Sequence, residues 1–145
     1  MTPALQILFG SALLTLCALT HVGLVAIAIP VMRRVGATLS HAARTMRSAV
    51  VLGLGVLTIL LAHTVQVWIW ALVFLLSDAL NTFPDSFYFA MVTYTTLGYG
   101  DLVLGEGLRI FATFAAVTGL LTFGISTAFL ISLLTALFPE VSGRP

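Results

Sequence analysis

Polar residues interrupt this chain in few places, and the apolar intervals between them define its elements. The run from about Ala4 to Ile29 meets the roughly 20 residues needed to cross a bilayer core. Ala49 to Leu76 is a second run of that kind, and Leu108 to Phe138, closed by Pro139, is a third. Between the last two lies Phe83 to Thr95, about 13 residues and too short to span, which is the mark of a segment that enters the membrane and returns. Pro84 fits the first turn of such a helix, where its missing N–H costs nothing, and Asp85 complements the positive helix end. The pattern predicts an all-α membrane protein with three transmembrane helices plus one re-entrant helix.

The first run invites a second reading as a signal peptide, with Ala26-Ile27-Ala28 as a loose cleavage site. No Lys or Arg precedes it and it exceeds the length of an h-region, so it is read as a helix that ends near Pro30. In the second run, Trp68 and Trp70 stand toward one end, where amphipathic rings favour the membrane interface. That run is long enough to require tilt.

Composition agrees with the pattern. The chain has 145 residues, 60% hydrophobic and 8% charged, with a mean hydropathy of +1.15. It is one structural unit, and nothing in it calls for a nucleic-acid partner. Lysine is absent, and Arg33, Arg34, Arg44 and Arg47 all lie between the first two runs, in a loop from Val31 to Ser48. Asp78, Asp85, Asp101 and Glu106 flank the short run instead. The positive-inside rule then places the arginines and the C-terminus in the cytoplasm and the N-terminus outside, in a plasma membrane, prokaryotic inner membrane included. The arginines suit anionic lipid headgroups; they lie outside the apolar cores without a sustained every-third spacing, so they do not read as a voltage sensor. Arg109 sits on the wrong side for its helix dipole, with Glu106 as its expected partner. Cys17 is the only cysteine, so no intrachain disulfide is possible.

Polar chemistry is densest in Thr95-Thr96-Leu97-Gly98-Tyr99-Gly100-Asp101. Successive backbone carbonyls can point one way only if the backbone alternates between right- and left-handed regions, which glycine permits most easily. A ring of such strips would replace a cation's hydration shell with peptide oxygens. One chain carries one strip, so a ring requires several chains around an axis.

Thr96-Leu97-Gly98-Tyr99-Gly100-Asp101 resembles the selectivity filter of potassium channels. Phe83-Pro84 and the aromatic run after it resemble that family's pore helix, and the resemblance covers roughly residues 50 to 138. It implies a tetrameric potassium-channel pore architecture. Its parts are an additional N-terminal helix and basic loop over 1–48, a pore module over 49–138 and a short cytoplasmic tail over 139–145, with no ligand-sensing domain. It also implies a homotetramer passing potassium ions through the carbonyls of Thr96, Leu97, Gly98 and Tyr99, with Gly100 and Asp101 completing the filter and no catalytic cofactor. Leu97 replaces the commoner Val, whose carbonyl does the work. Val92 is apolar where some members carry a bracing carboxylate, so a hydrogen bond from Tyr88 to Asp101 is the expected substitute. Tyr99 is expected to pack on pore-helix aromatics such as Phe87, Tyr88 or Phe89.

On the third span, Thr118, Thr122 and Phe129 share one side and are expected to line a cavity, with Phe129 as a dewetting constriction. Gly119 resembles the family's gating hinge, although close helix packing explains it and Gly124 equally well. His63 and Gln66 fall mid-span, where polar groups are expensive unless partnered. His63 reads as a proton sensor or, more plainly, as an interhelical hydrogen bond. His21, counted from Pro30, lies several ångströms shallower, which argues against a direct pair with His63.

Two rivals belong to other classes. Gly124-Ile125-Ser126 with His63 raises an intramembrane serine protease, for which no oxyanion-hole loop is evident. A non-conducting scaffold subunit is the other, and a weakly selective cation channel is the alternative within the same class.

Overall fold

A computed structural model describes residues 1–139, and four helices account for most of it: α1 (Pro3–Thr38), α2 (Arg44–Leu76), α3 (Phe83–Tyr94) and α4 (Arg109–Leu137). Three of them are long and apolar enough to cross a membrane. With α3 only 12 residues long, about 18 Å at 1.5 Å per residue, it cannot. The sequence expectation of three spanning helices and a short re-entrant one is met. The tail expected over 139–145 lies, apart from Pro139, outside the described residues.

The first helix departs from expectation at its end. It continues through Pro30 to Thr38, carrying Arg33 and Arg34 on its last turns, while Arg44 and Arg47 open α2. The loop expected from Val31 to Ser48 shrinks to a link of five residues, 39–43. Proline removes one hydrogen bond, but in an apolar medium every other backbone group does best by staying in the helix, so one proline does not end it.

The extra helix is bound into its own chain rather than left outside against lipid or a neighbouring subunit alone. Leu108 offers no side-chain cap to α4. Gln6 of α1 supplies one: its Oε1 accepts from the N–H groups of Ile110 at 3.0 Å and Phe111 at 3.2 Å. Two of the orphan donors of a helix start are satisfied from across the interface. One turn further along, Gly10 lets the Phe114 ring lie where any Cβ would collide with it.

Trp70, Phe74, Phe89, Tyr94 and Phe111 build the core between α2, α3 and α4. Trp70 and Phe111 rings stand 5.5 Å apart and Phe74 and Phe89 rings 5.1 Å. Trp70 therefore is not an interfacial residue, being fully buried, whereas Trp68 is 47% exposed. Two residues along a helix amount to about 200° of rotation, which sends the two rings to opposite sides. The turn after α2 is a Schellman motif: Asp78 takes φ 51°, Ala79 N–H donates to Phe74 O and Asp78 N–H to Leu75 O.

Candidate functional site

Thr82 starts the short helix by accepting from Asp85 N–H at 3.2 Å and donating to the Asp85 carboxylate at 2.7 Å. Its other end feeds directly into the glycine-bearing strip. There Thr96 has φ 61°, Gly98 φ 54° and Gly100 φ 80°, with Leu97 and Tyr99 at negative φ between them. The handedness alternates residue by residue, the pattern that aligns successive carbonyls. Glycine explains two of these positions. Thr96 does not follow from composition, because a β-branched residue at positive φ is strained and persists only where its surroundings hold it there.

Val92 provides part of that hold. Its carbonyl accepts from Leu97 N–H at 3.0 Å and Gly98 N–H at 3.2 Å, so the N–H groups of the strip point back at the helix end. Among the described residues, nothing donates to the carbonyls of Thr96, Leu97, Gly98 or Tyr99. Four acceptors in series are left free to face something else.

The Tyr88 hydroxyl donates to Asp101 Oδ2 at 2.6 Å, the bond expected in place of a carboxylate at Val92. It holds the Asp101 carboxyl below the usual carboxylate range and raises the Tyr88 phenol. Because the Asp101 pKa is depressed, the bond is present above the ordinary carboxylate range and is lost as pH falls through the lowered value. In Tyr88→Phe, the carboxyl titration of Asp101, followed by carbon NMR of the labelled side chain, should move up toward the ordinary value; an unchanged midpoint would show that the phenol does not hold it. Tyr99 is 68% exposed and makes no ring contact with Phe87, Tyr88 or Phe89 of its own chain, contrary to expectation.

The expected cavity residues are elsewhere. Thr118 and Thr122 are wholly buried within the single chain, and Thr122 Oγ1 lies 2.9 Å from the Tyr94 hydroxyl. Phe129 lines an apolar groove with Met32, Arg33, Arg47, Val51 and Leu133 at the arginine end. These three residues share one side of α4, but it is the side turned to the rest of the subunit, because that is where α4 finds packing partners. Gly119 lies against α3, where a Cβ would strike the Tyr94 carbonyl oxygen, which is the close helix packing that was one of its two readings. A Cβ added at Gly124 would meet nothing within 4 Å.

His63 does make an interhelical bond, to the Tyr94 hydroxyl at 2.7 Å, and a second to Ser126 Oγ at 3.0 Å. The expected separation of His21 from His63 is wrong, since their ring centroids are 5.0 Å apart. Counting from Thr38 rather than Pro30 puts His21 at about 25 Å from the arginine end and His63, counted from Arg44, at about 28 Å. Gln66 Nε2 donates to His21 Nδ1 at 2.8 Å. Arg109 donates from Nε to Leu104 O at 3.1 Å rather than pairing with Glu106. Gln6 carried no signal in the sequence, because the N–H groups it caps lie about a hundred positions away, and Ser126 was raised only with His63 and not with His21.

A family model described as Ion channel matches residues 56–136. The chain belongs to the ion channel family. It is 38% identical over 53 residues to the mouse and human proteins "Potassium voltage-gated channel subfamily A member 10", covering 36% of this chain and 10% of theirs. It is 36% identical over 58 residues to the "Hyperpolarization-activated voltage-gated potassium channel" of Methanocaldococcus jannaschii, covering 37% of this chain and 28% of that one. The ion channel chain thus spans between about a tenth and about a quarter of the length of these curated relatives. No solved structure matches it.

Proposed function

We propose that four copies of this chain surround one axis and form a potassium-selective pore, with the carbonyls of Thr96, Leu97, Gly98 and Tyr99 replacing the hydration shell of the passing ion. The alternating handedness of 96 to 100, with those carbonyls unbonded, is the observation that carries this reading. Leu97 at 55% and Tyr99 at 68% exposure are large apolar and aromatic groups that one subunit leaves bare and an assembly would cover. The strip of α4 that faces away from its own subunit, with Val117, Gly124, Thr127 and Ile131, takes over the role first given to Thr118, Thr122 and Phe129. Asp101 at the mouth, beside the exposed Asp78, Asp85 and Glu106, raises the local cation concentration. Residues 49–138 form the pore module, the filter mouth and N-terminus face outward in a plasma membrane, and the arginine end is cytoplasmic.

A hydrolase reading draws on the His63–Ser126 contact of 3.0 Å. Ser126 is only 5% exposed, shares its Oγ with His21, and sits within a continuous helix whose N–H groups are already spent. The α4 backbone beside Ser126 offers no free N–H to an oxyanion, so ion conduction is the better reading.

Protein reconstituted alone in planar bilayers, with potassium on one side and sodium on the other, should show a reversal potential set by potassium and a current blocked by barium. Comparable permeabilities would make it a weakly selective cation channel, and silence across pH and voltage a non-conducting subunit. The groove beneath Arg33 and Arg47 pairs an apolar floor with two guanidinium groups, which fits an acyl chain and its anionic headgroup. The same bilayers made with phosphatidylglycerol should therefore conduct better than neutral ones, and equal currents would remove the lipid from the account.

A further inference from the structure

Behind the filter, a run of hydrogen bonds passes through side chains of all four helices and returns to its start. Gln66 Nε2 of α2 meets His21 Nδ1 of α1 at 2.8 Å, and His21 Nε2 meets Ser126 Oγ of α4 at 3.1 Å. Ser126 Oγ meets His63 Nε2 of α2 at 3.0 Å, and His63 Nδ1 meets the Tyr94 hydroxyl of α3 at 2.7 Å. The Tyr94 hydroxyl closes the circuit on Gln66 Oε1 at 3.1 Å. His21 and Gln66 are fully buried and Tyr94 and Ser126 almost so.

Donor accounting fixes the protons. The Gln66 amide can only donate at Nε2, so His21 accepts at Nδ1 and carries its proton on Nε2. That proton goes to Ser126, whose own proton goes to His63 Nε2, which leaves the His63 proton on Nδ1 for Tyr94. Tyr94 then donates to Gln66. Each of the five links in the circuit has one donor and one acceptor, all running in the same sense, with both imidazoles neutral. Thr122 adds a sixth contact to the Tyr94 oxygen at 2.9 Å from α4.

This arrangement is a costly way merely to fasten a helix. Apolar side chains would pack α1 without burying an imidazole and an amide, and polar circuits of this kind chiefly fix geometry. The geometry they fix here is that of Tyr94, the last residue of α3, whose neighbours are Thr95 and the strained Thr96. Two residues before Tyr94, Val92 holds the Leu97 and Gly98 N–H groups. We infer that the first helix is a working part of the pore, and that His21 is a positioning residue which closes the circuit around Tyr94 and so holds the inner end of the filter in register. The inference rests on the proposed channel reading, with a readout that does not.

The full chain is compared in vesicles with His21→Leu, Ser126→Ala and His21→Gln. Glutamine keeps one acceptor and one donor at nearly the spacing of the imidazole nitrogens, so it preserves the circuit without the ring. Two quantities are read: the ratio of rubidium to sodium tracer uptake, and hydrogen exchange at the Leu97 and Gly98 amides by mass spectrometry. His21→Leu and Ser126→Ala should each speed that exchange about tenfold and lower the uptake ratio about tenfold, the scale of one lost hydrogen bond. His21→Gln should remain within about twofold of the parent in both. Unchanged exchange in Ser126→Ala, or a His21→Gln variant as impaired as His21→Leu, overturns the inference. If the parent shows no ion preference yet the exchange pattern holds, the channel reading falls and the positioning role of α1 stands. Should His21→Leu fail to fold, Ser126→Ala and His21→Gln decide the matter between them.

Discussion

Gly119→Ala should leave no selectively conducting protein, with the largest loss of stability of any single-methyl addition along α4. The new Cβ would fall onto the Tyr94 carbonyl oxygen and within 3.0 Å of its carbonyl carbon. Both are backbone atoms at the end of α3, and neither can rotate out of the way as a side chain would. Either α4 withdraws from α3 or the end of α3 moves and carries Thr95 and Thr96 with it. Overpacking of this kind costs about 1–3 kcal/mol or more. Gly53→Ala is the control, because it is also helical and has nothing within 4 Å. Replacing an open helical glycine with alanine should stabilise by up to about 1 kcal/mol. Thermal unfolding in detergent, read beside tracer flux, separates the two: an unfolding midpoint for Gly119→Ala equal to that of Gly53→Ala would mean that the α3–α4 contact is looser than described.

Gly98→Ala should do the reverse, leaving the fold nearly intact and removing selectivity. Space is not the obstacle, since nothing lies within 4 Å of the added methyl. Conformation is: φ at Gly98 is +54°, a region that costs an L-residue about 1–2 kcal/mol. The chain can escape that strain by rotating the peptide between Leu97 and Gly98. Rotation turns the Leu97 carbonyl off the line of its neighbours and breaks the Gly98 N–H bond to Val92 O, at present 3.2 Å. A preference for potassium over sodium should fall by about five- to thirtyfold, the conversion of that strain into a population ratio. A small shift in unfolding accompanied by unaltered ion preference would show that the carbonyl row is not what selects.

The two glycines illustrate how differently parts of this protein could be read in advance. Gly98 belongs to a local rule: alternating handedness needs glycine, and the short string around it declares that need within seven residues. Gly119 belongs to a long-range one, set by a carbonyl 25 positions earlier, and a helix pattern alone cannot tell a close crossing from a hinge. The same division separates Tyr88 and Asp101, 13 residues apart on adjoining segments and correctly paired beforehand, from His21 and Ser126, 105 apart and not paired. The misplacement of Thr118, Thr122 and Phe129 has this cause as well. Periodicity shows that three residues share a side of a helix, while the neighbours decide whether that side meets water or protein.

By itself the sequence determined that the chain carries three apolar helices of membrane-spanning length and a short one between the last two, and that Gly98 and Gly100 permit a backbone of alternating handedness. Those properties follow from hydrophobic length, charge placement and the backbone freedom of glycine, all of which act over a few residues. Only the tertiary structure decided that α1 passes through Pro30, caps α4 with Gln6 and brings His21 into a closed circuit behind Tyr94. Such contacts depend on the relative depth and rotation of packed helices, and a helix whose every side is apolar carries no local mark of either.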